Sequence, residues 1–216
     1  MSRILPVNPG SPEEEVIRQA GEELNSGNIV ALPTDTIYGL CASALDKEAV
    51  EKLYETKGRE DEKGAPVLIG CRSQLKGLAV DISPQAFSLM DSIWPSGLTL
   101  VLPATPDLSP LLTEGGASVA VRMPAQALCR ILAMRVGPFV ATSANVSGEL
   151  PLHNAQAISS RFQNKVGLVL DGGTTENTRP STVVDARGNK PIILREGVVD
   201  FDSVARAWDN IREPAP

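Results

Sequence analysis

Short apolar runs of four to six residues recur along this chain, separated by stretches whose apolar residues repeat at the helical period. Val16, Ile17, Ala20 and Leu24 share one helical face that Gly27 terminates, and Ser11-Pro12-Glu13-Glu14 predicts an N-cap, a proline at the first helical position and a capping-box glutamate. Asp46 is placed to cap a second helix with Val50, Leu53 and Tyr54 inward, running out at Lys57-Gly58. Further helices are predicted over 83–93, 125–136 and 154–162, and from about Asp202 to the end. Strands are predicted over 28–32, 66–69, 98–102, 118–121, 139–142, 166–170, 182–185 and 192–194. Strands so short and apolar are expected to be covered on both faces, which predicts an α/β protein with one open, twisted, mixed sheet and flanking helices. No linker, repeat or low-complexity stretch interrupts the pattern, so residues 12–200 read as one domain and 201–216 as a C-terminal helix and tail.

Composition excludes several classes of function. Twenty basic residues stand against 26 acidic ones, a net charge of -6, where a protein that mainly grips nucleic acid through its phosphates carries the opposite excess. Aromatic residues at 4% are too few for a single-strand stacking platform. One histidine, His153, and three dispersed cysteines, Cys41, Cys71 and Cys129, supply no compact metal site, and an odd cysteine count predicts reduced thiols in the cytosol. No run approaches the ~18 apolar residues of a membrane span, and Met1 to Pro12 lacks the apolar core of a secretory leader. The two glycine cradles that hold nucleotides in many folds, G-x-G-x-x-G and G-x-x-x-x-G-K-[ST], are missing.

Four segments put polar or basic residues beside apolar strands, where α/β sheets form ligand crevices. Pro33-Thr34-Asp35-Thr36-Ile37-Tyr38-Gly39 follows the first strand and reads equally as a tight turn. Lys57, Arg59 and Lys63 lie within seven residues at a helix end; they suit a phosphate, or the helix dipole and solvent, with Glu60, Asp61 and Glu62 among them. Arg122 ends the strand Ser118-Val119-Ala120-Val121, where a buried guanidinium needs a carboxylate partner or an anionic ligand. Thr142-Ser143-Ala144-Asn145-Val146-Ser147-Gly148 offers hydroxyl and amide groups that cap a helix or contact a nucleotide, and position alone does not choose.

Taken in order, P-T-D-T-I-Y-G-L, K-G-R-x-x-x-K, S-V-A-V-R-M-P, T-S-A-N-V-S-G, P-S-T-V-V-D and L-R-E-G resemble the YrdC/Sua5 family of threonylcarbamoyl-AMP synthases over roughly residues 12–200. The resemblance implies an open sheet with a concave, positively lined face. It also implies a reaction that joins L-threonine, bicarbonate (or CO2) and ATP into threonylcarbamoyl-AMP and pyrophosphate. Transferase machinery then passes the threonylcarbamoyl group to the adenosine beside the anticodon of ANN-decoding tRNAs. By the same resemblance Lys57, Arg59 and Lys63 grip the ATP phosphates and carry the catalysis. Ser118, Ser143, Asn145 and Arg195 are further nucleotide contacts, and Thr36, Arg122, Thr142 and Ser181 form the L-threonine pocket. Mg2+ arrives with ATP, held by phosphates and water rather than by a carboxylate cage. Asp35 is the nearest candidate for a general base by sequence, with a purely structural role as the alternative. The implied location is cytoplasmic, without a membrane.

Departures from the family pattern bear on these expectations. Many members read K-x-R-P where this chain has Glu60 after Arg59, Gly64-Ala65-Pro66 replaces a common Pro-Leu pair, and Leu68 stands where some members place a histidine. Longer relatives carry a second C-terminal domain, so this chain is expected to be the short form. Two other readings stand beside the synthase: a YciO-like paralogue, and an RNA-binding or ribosome-maturation module using the same face, with weak tRNA binding left open.

Overall fold

The computed structural model describes residues 2–58, 64–175 and 179–209. In chain order it contains β1 (Arg3–Pro6), α1 (Glu14–Asn25), β2 (Val30–Pro33), β3 (Tyr38–Ser43), α2 (Lys47–Lys57), β4 (Val67–Leu68), α3 (Pro84–Ile93), β5 (Leu98–Pro103), β6 (Thr113–Glu114), β7 (Ser118–Arg122), α4 (Ala127–Val136), β8 (Phe139–Ser143), α5 (Ala155–Arg161), β9 (Leu168–Asp171), β10 (Thr182–Asp185), β11 (Ile192–Arg195) and α6 (Phe201–Asp209). Ten strands form one open mixed sheet in the order β1-β9-β2-β3-β8-β4-β7-β5-β10-β11, and β6 pairs with β7 beside it.

Local chemistry accounts for most element ends. Asp46 and Ser83 accept from Ala49 N and Ala86 N at 3.1 Å each, capping α2 and α3, and Gly58 closes α2 in the left-handed region at φ 60°. The cap predicted at Ser11 is not formed. Helix α1 begins later, with Glu13 at its N-cap and no side-chain cap bond, and Ser11 belongs to the preceding turn, where its N–H donates to the Asn8 carbonyl. Three strands escape the periodicity reading: β1, β3 and the two-residue β6. β1 has outward ends, and β3 begins inside the segment read as a turn; Thr34 to Ile37 does turn, but Tyr38 then starts a strand antiparallel to β2.

The two faces of the sheet differ. One is covered from end to end by a core in which Val119 and Val121 of β7 and Leu98, Leu100 and Leu102 of β5 pack with residues of α2, α3, α5 and α6. On the other face, Val30, Leu32, Cys41, Phe139, Leu168 and Leu170 lie under Ile17, Ala20 and Leu24 of α1 and Leu128, Cys129, Leu132 and Ala133 of α4. Each such fully buried aliphatic side chain contributes about 1.5–3 kcal/mol. That cover stops near β4. Past it the second face is a cavity floor, lined among the described residues by no α-helical residue except Lys57, so the expected cover on both faces holds only for half of the sheet. The edges β1 and β11 also depart from it, with mostly exposed or half-buried residues.

Candidate functional site

Strand alternation builds the cavity floor. Val119 and Val121 enter the covered core, so Ser118, Ala120 and Arg122 of β7 face the other way. Thr99 pairs with Arg122 and Val183, and Val101 pairs with Ala120 and Asp185, which puts Thr99, Val101, Val183 and Asp185 on the same floor. From Arg122 to Ser118 the floor runs about 13 Å at the usual strand rise. The walls come from the 34–39 turn, the 141–148 segment and Arg195, around a volume of ≈ 910 Å³. That volume lies at the upper end of small-molecule sites and has room for two ligands side by side.

Buried polar side chains gather here, which is the informative departure from ordinary burial. Lys57 is 3% exposed and Arg122 4%, and Thr36, Thr99, Ser118, Asn145 and Ser181 are buried around the same space. Arg122 is held from three sides. Its guanidinium pairs with Asp35, its Nε donates to Ser96 O at 3.1 Å, and one terminal nitrogen donates to Thr36 Oγ1 at 3.4 Å. Five N–H groups minus these three leave one on each terminal nitrogen without an acceptor among the described residues, a fork suited to a carboxylate. Asp35 also accepts from Ala125 N at 2.9 Å, so its carboxylate anchors Arg122 and the following chain. That is the structural role, and it places Asp35 as a partner of Arg122 rather than as a base open to a ligand.

Arg195 approaches from β11. It donates from Nε (3.1 Å) and one terminal nitrogen (2.9 Å) to the Ser181 carbonyl, and from that nitrogen to Ser181 Oγ (2.9 Å). Its other terminal nitrogen has no acceptor among the described residues. Loss of surrounding water, and second the positive charge of Arg122, pull the Arg195 pKa below its usual range. Two guanidinium groups that repel across one cavity favour an anion between them.

Lys57 lines the same cavity with its ammonium engaged by the 143–145 segment. Its Nζ donates to Ser143 O at 2.7 Å, to Ser143 Oγ at 3.3 Å and to Asn145 Oδ1 at 3.1 Å. The Asn145 amide nitrogen in turn donates to Val146 O and Glu149 O, so Lys57 and Asn145 together shape the 143–149 loop. The structure thus brings Thr36, Lys57, Ser118, Arg122, Thr142, Ser143, Asn145, Ser181 and Arg195 to one cavity. Arg59 and Lys63 lie outside the described residues.

Residues that the motif reading left without a role also belong here. Thr34 Oγ1 donates to Ile37 O at 2.7 Å and accepts from Thr36 N at 3.1 Å, which locks the turn that presents Thr36. Tyr38 donates its hydroxyl proton to Gly173 O at 2.7 Å and accepts from Gly172 N at 3.1 Å, tying the wall to the 172–173 segment. Asp185 and Arg187 pair at the floor's far end, and the Arg187 guanidinium holds the Asp185 carboxyl below the usual range. The sequence signal for this pair is the aspartate of P-S-T-V-V-D with an arginine two residues on. Among the described residues no three His, Cys, Asp or Glu side chains converge as metal ligands, and no helix is long and apolar enough to cross a membrane.

Comparison with known proteins joins this geometry to a lineage. The Sua5/YciO/YrdC family model, described as telomere recombination, matches residues 22–197. A threonylcarbamoyl-AMP synthase of Pyrococcus abyssi is 36% identical over 201 residues, covering 93% of this chain and 59% of that protein. One from Bacillus subtilis is 37% identical over 196 residues, covering 90% of this chain and 57% of that protein. The chain therefore spans less than two thirds of the length of these curated relatives. Among solved structures, P. abyssi Sua5 complexed with L-threonine matches with a TM-score of 0.90 and 36% identity, covering 98% of this chain and 62% of that one. Escherichia coli YciO matches with a TM-score of 0.84 and 28% identity, covering 94% of this chain and 100% of that one. By family model, sequence and fold together, the chain belongs to the Sua5/YciO/YrdC family.

Proposed function

We propose that the cavity holds ATP beside L-threonine, and that the protein is a nucleotidyltransferase forming threonylcarbamoyl-AMP and pyrophosphate from L-threonine, bicarbonate and ATP. One observation carries the reading: two arginines with uncommitted N–H groups, a lysine-braced loop and a set of buried hydroxyls converge on one space in a protein of net charge -6. The synthase names of its relatives and the L-threonine complex of the P. abyssi protein support it.

The chemistry asks for positioning and charge neutralisation more than for a nucleophile. The threonine amine takes up CO2 derived from bicarbonate to give a carbamate, whose oxygen attacks the α-phosphorus of ATP and displaces pyrophosphate. Arg122, oriented by Asp35, Thr36 and the Ser96 carbonyl, holds the threonine carboxylate with its two remaining N–H groups. Arg195 supplies its free terminal nitrogen to the anionic centre between the two substrates. The loop braced by Lys57 and Asn145 carries the phosphates, with Ser143 and Ser118 on the same side, and Arg59 and Lys63 are assigned to the phosphate grip with it. Fixed donors in a partly dry site stabilise the developing charge without reorganising during the reaction. Mg2+ enters as the counterion of the triphosphate, in keeping with a lining whose one acidic side chain among the described residues, Asp185, is paired with Arg187. The product passes to tRNA-modifying transferase machinery, and buried thiols together with ATP and tRNA as partners suit the cytoplasm.

Pyrophosphate release from ATP tests the reading: it should require L-threonine and bicarbonate together. Release that ignores threonine, or none with Mg2+ supplied, contradicts it. Salt-sensitive tRNA binding in the absence of any threonine-dependent turnover would favour the RNA-binding alternative instead.

A further inference from the structure

Ser181 stands immediately before β10, and two donors meet on its hydroxyl oxygen. Thr99, on the neighbouring strand β5, donates its hydroxyl proton to Ser181 Oγ at 2.9 Å, and Arg195 donates to the same oxygen at 2.9 Å from β11. A serine hydroxyl has two lone pairs and one proton, and ordinarily rotates to serve either a donor or an acceptor. Here both lone pairs are taken, so the proton must point away from both neighbours. No described residue accepts it. Ser181 is 4% exposed and lines the cavity, so the proton's outlet is the cavity itself.

The surrounding backbone says what the proton meets. Arg122 Nε donates to Ser96 O and Thr182 N donates to Gly97 O, so the Arg122 and Ser181 side chains come together over the same 96–99 stretch. Arg122 offers two uncommitted N–H groups there, and Ser181 offers one O–H. Three donors without an internal acceptor describe a place for an oxyanion and a poor place for an ammonium group.

Resting on the reading that this cavity binds L-threonine, we propose that Thr99 is a positioning residue: with Arg195 it fixes Ser181 as an obligate donor, and this fixed polarity orients the amino acid with its carboxylate towards Arg122 and its amine towards the nucleotide. Thr99 itself is fully buried, and its hydroxyl acts through Ser181. Replacing that hydroxyl with a methyl group frees one lone pair on Ser181, and the serine proton then samples orientations that no longer serve the carboxylate.

Thr99→Val and Thr99→Ser test this by L-threonine calorimetry and by pyrophosphate release. Thr99→Val should weaken L-threonine binding and raise its KM about tenfold, the usual effect of losing one charge-assisted hydrogen bond. It should leave the ATP KM and the melting temperature near wild type, and Thr99→Ser should restore threonine affinity. In a Ser181→Ala background Thr99→Val should have no further effect. Where Thr99→Val does not fold, Thr99→Ala serves the same comparison. Unchanged threonine affinity, an equal loss for ATP and threonine, a Thr99→Ser variant as weak as Thr99→Val, or additive effects with Ser181→Ala would each overturn the role of Thr99. A wild-type protein that neither binds L-threonine nor uses it overturns the functional reading and this inference with it.

Discussion

One face of this sheet is built in two halves from the same strand alternation, and they serve opposite ends. Under α1 and α4 the alternate positions are Val30, Leu32, Cys41, Phe139, Leu168 and Leu170, and they are closed against helix side chains. Beyond β4 the equivalent positions are Ser118, Ala120, Arg122, Thr99, Val101, Val183 and Asp185, and they face a cavity. The other side of the sheet is largely apolar, with the buried Thr182 hydroxyl satisfied by Val199 O, so the open half does not carry the burden of holding itself together. Its polar and small residues are set on a floor made rigid from beneath. The general lesson is that a covered face lets an α/β sheet place buried cations on its reverse, provided each cation is oriented by neighbours as Arg122 is by Asp35, Thr36 and Ser96.

Variants that confuse the two halves should produce opposite signatures. The largest effect is expected at Arg122, where open floor and buried ion pair coincide. Arg122→Ala should reduce threonine-dependent pyrophosphate release by about 10²–10³. It should also destabilise the fold by about 3 kcal/mol, the low end for a broken buried pair, because the half-buried Asp35 carboxylate loses its cation. Chemical denaturation and turnover, measured on one preparation, check both. In the covered half, Leu170→Ala should cost about 2–5 kcal/mol of stability and leave the turnover of the folded fraction unchanged. Ala120→Leu inverts that result, filling the floor with little change in melting temperature and abolishing ligand binding. If both variants lose stability and activity in step, the two halves are not independent.

A smaller change is expected from Lys57→Met. It keeps the apolar stem and removes the ammonium that holds Ser143 and Asn145, so kcat/KM for ATP should fall by about tenfold to a hundredfold. The threonine affinity measured alone should hold, since Arg122 and Ser181 take nothing from Lys57. The smallest effect concerns thiols. Burial pushes Cys41 and Cys129, both in the covered half, well above their ordinary pKa, whereas Cys71 is half-buried. Iodoacetamide at mildly alkaline pH should label Cys71 alone in the native protein, and all three after unfolding; native labelling of Cys129 would show that α4 does not close its half of the sheet.

Much of this arrangement is legible in the sequence, and the gaps have physical causes. Apolar periodicity locates the helices and most strands because burial on the common core makes that pattern. It misses β1, whose ends face outward, β3, whose start is hidden in a motif dense with turn residues, and β6, which is only two residues long. The same periodicity leaves open which stretch of the second face is uncovered, since Val101 and Val183 on the cavity floor look like core. Motif order gathers Thr36, Arg122, Ser143, Ser181 and Arg195 correctly into one space. It does not reveal hydrogen-bond commitments between distant segments. The engagement of Lys57 by Ser143 and Asn145, of Arg122 by Asp35, and of Ser181 by Thr99 depends on pairs 82 to 88 residues apart in sequence.

On the proposed function, the uncovered half of one sheet face seats an amino acid and a nucleotide together. A crystal structure with L-threonine and a non-hydrolysable ATP analogue measures this most directly. The threonine carboxylate should lie on Arg122 and the Ser181 hydroxyl, with the phosphates against Arg195 and the 143–148 segment. Ligands bound elsewhere, or a threonine turned with its ammonium towards Arg122, would contradict it.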